Sequence, residues 1–168
     1  DFNFSFVRYN RRGYDSRYSM LAVDGIALDD PLTGNQHWNV LNAVTNAPGP
    51  LFLAEGGAPG ERMLGLSGGI REYGRLAGEQ PKRAYAGAMF TDRRFRSGAR
   101  MGAATGWMKG GWAVSFSGSR RWGRDTHIDG VYSDNWTVYG SVARKVGPKH
   151  VLSAAFLMAP SDQGVRGA

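Results

Sequence analysis

The chain contains no cysteine, which excludes a disulfide framework and the usual thiolate metal sites while leaving its redox compartment open. Its three histidines, His37, His127 and His150, fall in separate elements, with no spacing that would put a metal-binding pair on one helix or strand. Neither GLSGG nor GAATGWMK has the Gly-Lys-Ser/Thr ending of a phosphate loop, and no serine sits in a Gly-x-Ser-x-Gly elbow. Asp29-Asp30 is a carboxylate pair, but neighbouring strand residues point to opposite faces, and Pro31 makes a turn the simpler account. No catalytic residue, metal or cofactor is therefore expected, and the chain does not read as an enzyme. Long apolar runs are also missing. With 25 glycines and 12% aromatics among 168 residues, the composition suits many strands and turns better than a helical bundle.

A formal net charge of +7 would suit a nucleic acid, yet the Lys and Arg residues are scattered among aspartates and glutamates and form no single stripe. Nucleic acid is not an expected partner. The first residues, DFNFSFVRYN, open in the middle of an alternating strand pattern without a basic start or apolar core, and APSDQGVRGA ends without a closing strand. The stretch reads as a piece of a longer protein, so the missing signal peptide does not argue for a cytoplasmic home.

Two regions differ in grammar, residues 1–78 and 82–168, with Gly-Glu-Gln-Pro between them as a linker. In the first, RYSMLAVDGIALDD predicts two short strands joined at Asp24-Gly25, the dipeptide that most readily adopts positive φ in a two-residue hairpin. NQHWNVLNAVTN spaces Trp38, Leu41 and Thr45 three and four apart behind an Asn35 cap, which predicts a short helix. IREYGRLAG supplies one more strand. A small mixed α/β unit is expected.

In the second region the apolar period is two. Trp112, Val114 and Phe116 share one face while Ala113, Ser115, Ser117 and Ser119 share the other. Trp136, Val138 and Val142 likewise oppose Thr137, Ser141 and Lys145, although Tyr139 and Ala143 blur the polar side. With KRAYAGAMFTD, ARMGAATGWMK and KHVLSAAFLMAP, about five antiparallel strands of about ten residues are expected, the length of a tilted membrane-spanning strand. Their connections alternate in length: TDRRFRSG is moderately long, MKGG tight, RRWGRDTHIDGVYSDN long and VGPKH short. Outer-membrane barrels share this asymmetry, with tight turns at one rim and recognition loops at the other. Trp107 and Trp112 bracket one short turn, and Trp122, Tyr132 and Trp136 surround the long loop, as two aromatic girdles would require.

On Gly13-Tyr14-Asp15-Ser16-Arg17-Tyr18, the Val23–Ile26 hairpin with Asp29-Asp30-Pro31, Ser67-Gly68-Gly69-Ile70 and the strands from Gly111 to Gly123 and Asn135 to Pro160, the chain resembles TonB-dependent outer-membrane receptors. The match is to the second half of the plug and the opening strands of the barrel. The resemblance implies an incomplete transmembrane β-barrel, since the family's barrel has about 22 strands. It implies energy-coupled uptake of a ligand such as a metal chelate, a glycan or a peptide nutrient, in the outer membrane of a Gram-negative bacterium. The implied partners are the rest of the same barrel and plug, and a TonB-type energy-transducing protein reached through an upstream segment. Arg12, Asp15, Arg17 and Asp24 of the plug would then make polar contacts with barrel residues such as Ser117 and Arg121. Trp112, Val114, Phe116, Trp136 and Val138 would face lipid, so Val114→Arg is expected to cost about 2–4 kcal/mol and Ser115→Arg much less. The loop from Gly123 to Asn135, with Arg124, Asp125, His127 and Asp129, would lie outside the cell. About five such strands cannot close a barrel, so this stretch expressed alone is expected to aggregate. The alternatives are a small outer-membrane barrel serving as adhesin or structural protein, and a secreted soluble β-rich binding domain in which the Val114 face is buried against another sheet.

Overall fold

A computed structural model describes residues 19–23, 26–30, 32–34, 52–54, 69–73, 76–91, 95–125 and 129–164. Among them the chain is built from ten strands and one 3-10 turn, with no α-helix. The fold is mainly β, and most strand pairs are antiparallel.

The first sheet holds β1 (Ser19–Val23), β2 (Ile26–Ala27), β3 (Phe52–Ala54) and β4 (Gly69–Tyr73), in the order β2-β1-β4-β3. Val23 pairs with Ile26, which leaves the expected two residues between β1 and β2. Asp24 and Gly25 themselves lie outside the described residues, as does the helix expected over residues 35–46. β4 falls where IREYGRLAG predicts a strand, but it runs parallel to β1, with Ser19 opposite Gly69 and Val23 opposite Tyr73. Local sequence signals do not reveal a parallel pair, because it is closed by a long crossover and not by a turn. The two adjacent carboxylates serve the backbone. Both oxygens of Asp29 accept the Leu21 N–H, at 3.1 and 3.2 Å, beside the Leu28 N–H bond to the Leu21 carbonyl. Asp30 Oδ1 accepts the N–H groups of Leu32 and Thr33 at 2.8 and 3.1 Å, an Asx-type turn.

The second sheet is a meander of β5 (Arg83–Phe90), β6 (Ser97–Ala104), β7 (Trp112–Arg124), β8 (Tyr132–Val146) and β9 (His150–Met158), followed by β10 (Ser161–Gly164). All five expected strands are present. β10 is not a separate strand in its register: Val138 faces Met158 and Asn135 faces Ser161, so β9 and β10 run along β8 without a shift. The interruption falls at Ala159-Pro160. The Trp136 N–H still donates to the Pro160 carbonyl at 2.9 Å, but proline has no N–H to return the bond.

Two boundaries differ from expectation. β6 ends at Ala104, and the chain closes the tight turn expected at MKGG with a Gly111 N–H to Met108 carbonyl bond of 2.9 Å, Gly111 taking a φ of 74°. The connection expected over residues 120–135 is shorter, because β7 continues to Arg124 and β8 begins at Tyr132. Alternating residues explain the extension: Arg120 and Asp134 pair across the two strands, so charge stabilises the ladder where polarity reads as loop. Residues 91–96 and 125–131 thus connect strands at one end of the sheet, and the turns at 108–111 and 147–149 connect them at the other. The long and short alternation survives in reduced form.

Register also explains how a glycine-rich sheet stays packed. Tyr85 lies opposite Gly102 and Phe156 opposite Gly140, each ring covering the backbone of its partner. A Cβ built at Gly140 would fall well inside contact distance of the Phe156 ring. Cross-strand coverage of this kind pins register where side chains are small. Gly140→Ala is therefore expected to destabilise the folded protein by about 1–3 kcal/mol. In a Phe156→Leu background the same change should cost little; equal cost in both backgrounds, measured by urea unfolding, would contradict the packing described.

Candidate functional site

The two faces of the second sheet are opposite in chemistry, and the burial runs against the usual rule. Val114 and Phe116 are 42% and 47% exposed, whereas their neighbours Ser115 and Thr137 are 4% and 0% exposed. In a soluble sheet the apolar face is the covered one. Here Trp112, Val114, Phe116, Trp136 and the half-buried Val138 share the open face with Leu152, Phe156 and Met158, all in register across β7, β8 and β9. The five residues read from the sequence as one apolar face do lie on one face.

That face is bordered at both ends by cations stacked on tryptophan. Near the 125–131 connection the Arg120 guanidinium lies 5.1 Å from the Trp122 ring and 4.7 Å from the Trp136 ring. It also donates through Nε and Nη2 to both oxygens of Asp134, at 3.1 and 2.8 Å. The flat guanidinium suits both partners, since it forks to a carboxylate in its plane and stacks on rings above and below it. At the other end Arg144 lies 4.8 Å over Trp112, its directly opposed neighbour. Sequence reading missed the Arg120–Asp134 pair; the i, i+2 spacing of Arg120 to Trp122 and Asp134 to Trp136 is the signal that carries it.

The opposite face is small and polar, and it is covered by the first sheet and the segment that follows it. Leu21 and Val23 of β1 pack on Tyr139, with Leu28 and Leu157 at the edge of the cluster. Ala77 in the 3-10 turn packs on Ala113 and Ala143. Gln80 donates from Nε2 to Ser115 Oγ at 3.0 Å, and the Ser115 and Ser141 hydroxyls are 2.7 Å apart. Tyr139 and Ala143, which blur the polar alternation in the sequence, are thus the points where the preceding chain is seated. The Gly-Glu-Gln-Pro stretch expected as a linker begins in this packed turn. Trp107 belongs here too: its ring closes over Gly78, with Lys145 Nζ 4.6 Å from it. It does not join Trp112 in a border row on the open face, because the strand has turned before reaching it.

Ser117 and Arg121 lie on the same side of β7 as Ser115. Ser117 is buried opposite Tyr139, and Arg121 stacks 5.1 Å from the Phe95 ring. Their expected partners Arg12, Asp15, Arg17 and Asp24 lie outside the described residues, as do His37 and His127. Of the remaining loop residues, Arg124 and Asp129 are exposed, and Asp125 closes its own loop, its carboxylate accepting the Gly130 N–H at 2.7 Å. Asp125 has a φ of 47°, a left-handed conformation that Asp tolerates better than most residues. Ser115 overturns one expectation: it is not open to a water-filled space, so an arginine there would meet Gln80 and Ser141 and would not be tolerated.

No family model, curated protein or solved structure matches this chain. The resemblance to TonB-dependent receptors therefore stands on the residues alone.

The hydroxyl pair offers a direct check of how the covered face is held. Ser115→Ala removes an acceptor of the Gln80 amide and leaves the buried Ser141 hydroxyl short of a partner, and should cost about 1–3 kcal/mol. Ser141→Ala should add much less in that background than alone, because the two hydroxyls share one interaction. Strict additivity in unfolding free energies would show that the two groups act independently.

Proposed function

We propose that residues 1–78 contribute to the plug and residues 82–168 to the barrel wall of a TonB-dependent receptor, an active importer of the bacterial outer membrane. In this reading the open apolar face meets lipid and the covered polar face meets the plug. The observation that carries it is the exposure of Val114 and Phe116 beside the burial of Ser115 and Thr137. A soluble sandwich would cover the first pair with a second sheet, and water would penalise leaving them uncovered. Lipid removes that penalty. At about 3.3 Å per residue the strand runs about 33 Å from Trp112 to Trp122, or about 25 Å along the membrane normal at a tilt of about 40°. That is the height of the apolar band of an outer-membrane barrel, with aromatic rows at its two borders.

The seating of β1 and the 3-10 turn on the polar face supports a plug held by small contacts. One alanine cluster, the Leu21–Val23–Tyr139 cluster, one glutamine and paired serine hydroxyls form the interface that a pulling force from a TonB-type protein rearranges. The ligand, a metal chelate, glycan or peptide nutrient, passes when that interface shifts. β5 at one side of the sheet and β9–β10 at the other have no further strand among the described residues, and further strands of the same barrel satisfy their free N–H and C=O groups. Loop 125–131 faces the outside of the cell, and the turns at 108–111 and 147–149 face the periplasm.

This stretch has no native cysteine, so single-cysteine labelling tests the reading in cells carrying the full-length protein with any cysteine elsewhere in it replaced. Asp129→Cys should react with an impermeant maleimide on intact cells. Lys109→Cys should react only after the outer membrane is opened, and Phe116→Cys should resist the aqueous reagent in both states. Labelling of Phe116→Cys from water would defeat the membrane reading; reversal of the other two would invert the topology.

A further inference from the structure

Exposed charge is divided unevenly between the two ends of the second sheet. Among the described residues at the end formed by residues 125–131, Arg96, Arg120, Arg121 and Arg124 stand with Asp125, Asp129, Asp134 and Asp162, a balanced mixture. At the turn end Lys145 is exposed on the covered side of β8, and Lys82, Lys109, Arg144 and Lys149 are exposed as well, with Glu79 the acid closest to Lys82 along the chain among the described residues. None of these four cations has a carboxylate within ion-pair distance among the described residues.

The four follow one another along a single rim. The Lys82 backbone nitrogen lies 3.2 Å from where a Cβ on Gly106 would sit, so Lys82 abuts the β6–β7 connection. Lys109 occupies the turn closed by Met108 and Gly111, and the Lys145 N–H donates to the Gly111 carbonyl at 2.9 Å, joining that turn to β8. Arg144 stands opposite Trp112, and Lys149 lies in the next turn, at 147–149. A line of like charges with no counter-ion among the described residues is repulsive unless anions come to it.

The chemistry of the neighbouring surface selects the anion. The basic line borders the open apolar face, and Arg144 is stacked on the tryptophan that marks that border. A nucleic acid or an acidic protein would need a basic surface with breadth, whereas this one is a line along the edge of an apolar field. An amphiphile with a negative head and an apolar tail matches both parts at once. We infer that the turn-side rim, through Lys82, Lys109, Arg144 and Lys149, binds the headgroups of anionic phospholipids whose chains lie on the Val114 and Phe116 face. The inference rests on the membrane reading above and names the lipid partner of that surface. The tryptophan holds the guanidinium at the depth of the phosphate, and the flexible lysines reach it from the turns.

The test uses the full-length protein inserted into vesicles of phosphatidylcholine alone and of phosphatidylcholine mixed with phosphatidylglycerol. The lipid retained after extraction in mild detergent is then measured by mass spectrometry. Phosphatidylglycerol should be enriched over its share of the vesicle. K82Q/K109Q/R144Q/K149Q should abolish the enrichment, at about five-fold per charge at low salt, whereas R96Q/R124Q and the charge-keeping R144K should retain it. Equal retention of the two lipids by the unaltered protein, or enrichment that survives the fourfold variant, would overturn the inference. Tight binding of soluble heparin without any lipid preference would overturn it in favour of an acidic macromolecule. Failure to enter vesicles of either composition would defeat the membrane reading itself and the inference with it.

Discussion

The pleat of β7 and β8 imposes the constraint on which the rest of the structure depends: successive side chains point to opposite faces, so one sequence supplies two surfaces. Here the covered surface is made of serines, a threonine, an asparagine and alanines, and the open surface of valine, phenylalanine and tryptophan. Burying hydroxyls costs free energy unless they find partners, and leaving large apolar side chains open costs free energy in water. The first cost is met in part by local bonds, between the Ser115 and Ser141 hydroxyls and at Asn135, whose side-chain oxygen accepts from Ser161 and Gln163, while the buried Ser119 hydroxyl has no partner among the described residues. The second cost has no remedy among the described residues.

Small side chains on the covered face have a second consequence. They let the 3-10 turn approach the sheet closely, with Ala77 on Ala113 and Ala143, while β1 seats Leu21 and Val23 on the larger Tyr139. Contacts of this size are specific without being strong. The large aromatic and cationic groups are placed elsewhere, at the borders of the open face, where Arg120 and Arg144 each stack on tryptophan.

Much of the second sheet was legible in the sequence because a period of two survives in single residues: Val114, Ser115, Phe116 and Ser117 announce both faces. The tight turn at Met108–Gly111 was legible from its glycines. The extension of β7 and β8 was not, because Arg120 and Asp134 look like loop residues until their register brings them together. Nor was the parallel pairing of β1 with β4, which depends on a crossover and leaves no local mark. The seating points Tyr139 and Ala143 were visible only as imperfections in the polar alternation. Their meaning requires knowing that β1 lies on the first and the 3-10 turn on the second. The expected contacts of Arg12, Asp15, Arg17 and Asp24 fall outside the described residues, so that part of the site rests on Ser117 and Arg121 alone.

The central claim is that the apolar face of β7 and β8 is turned outward to lipid. Photolabelling of the unaltered full-length protein in vesicles, with a diazirine carried on a phosphatidylcholine acyl chain, tests it most directly, read residue by residue by mass spectrometry. The account predicts label on Val114, Phe116, Val138 and Phe156 and none on Ser115, Ser117 or Thr137. Label on the serine face, or none on either face, would contradict it.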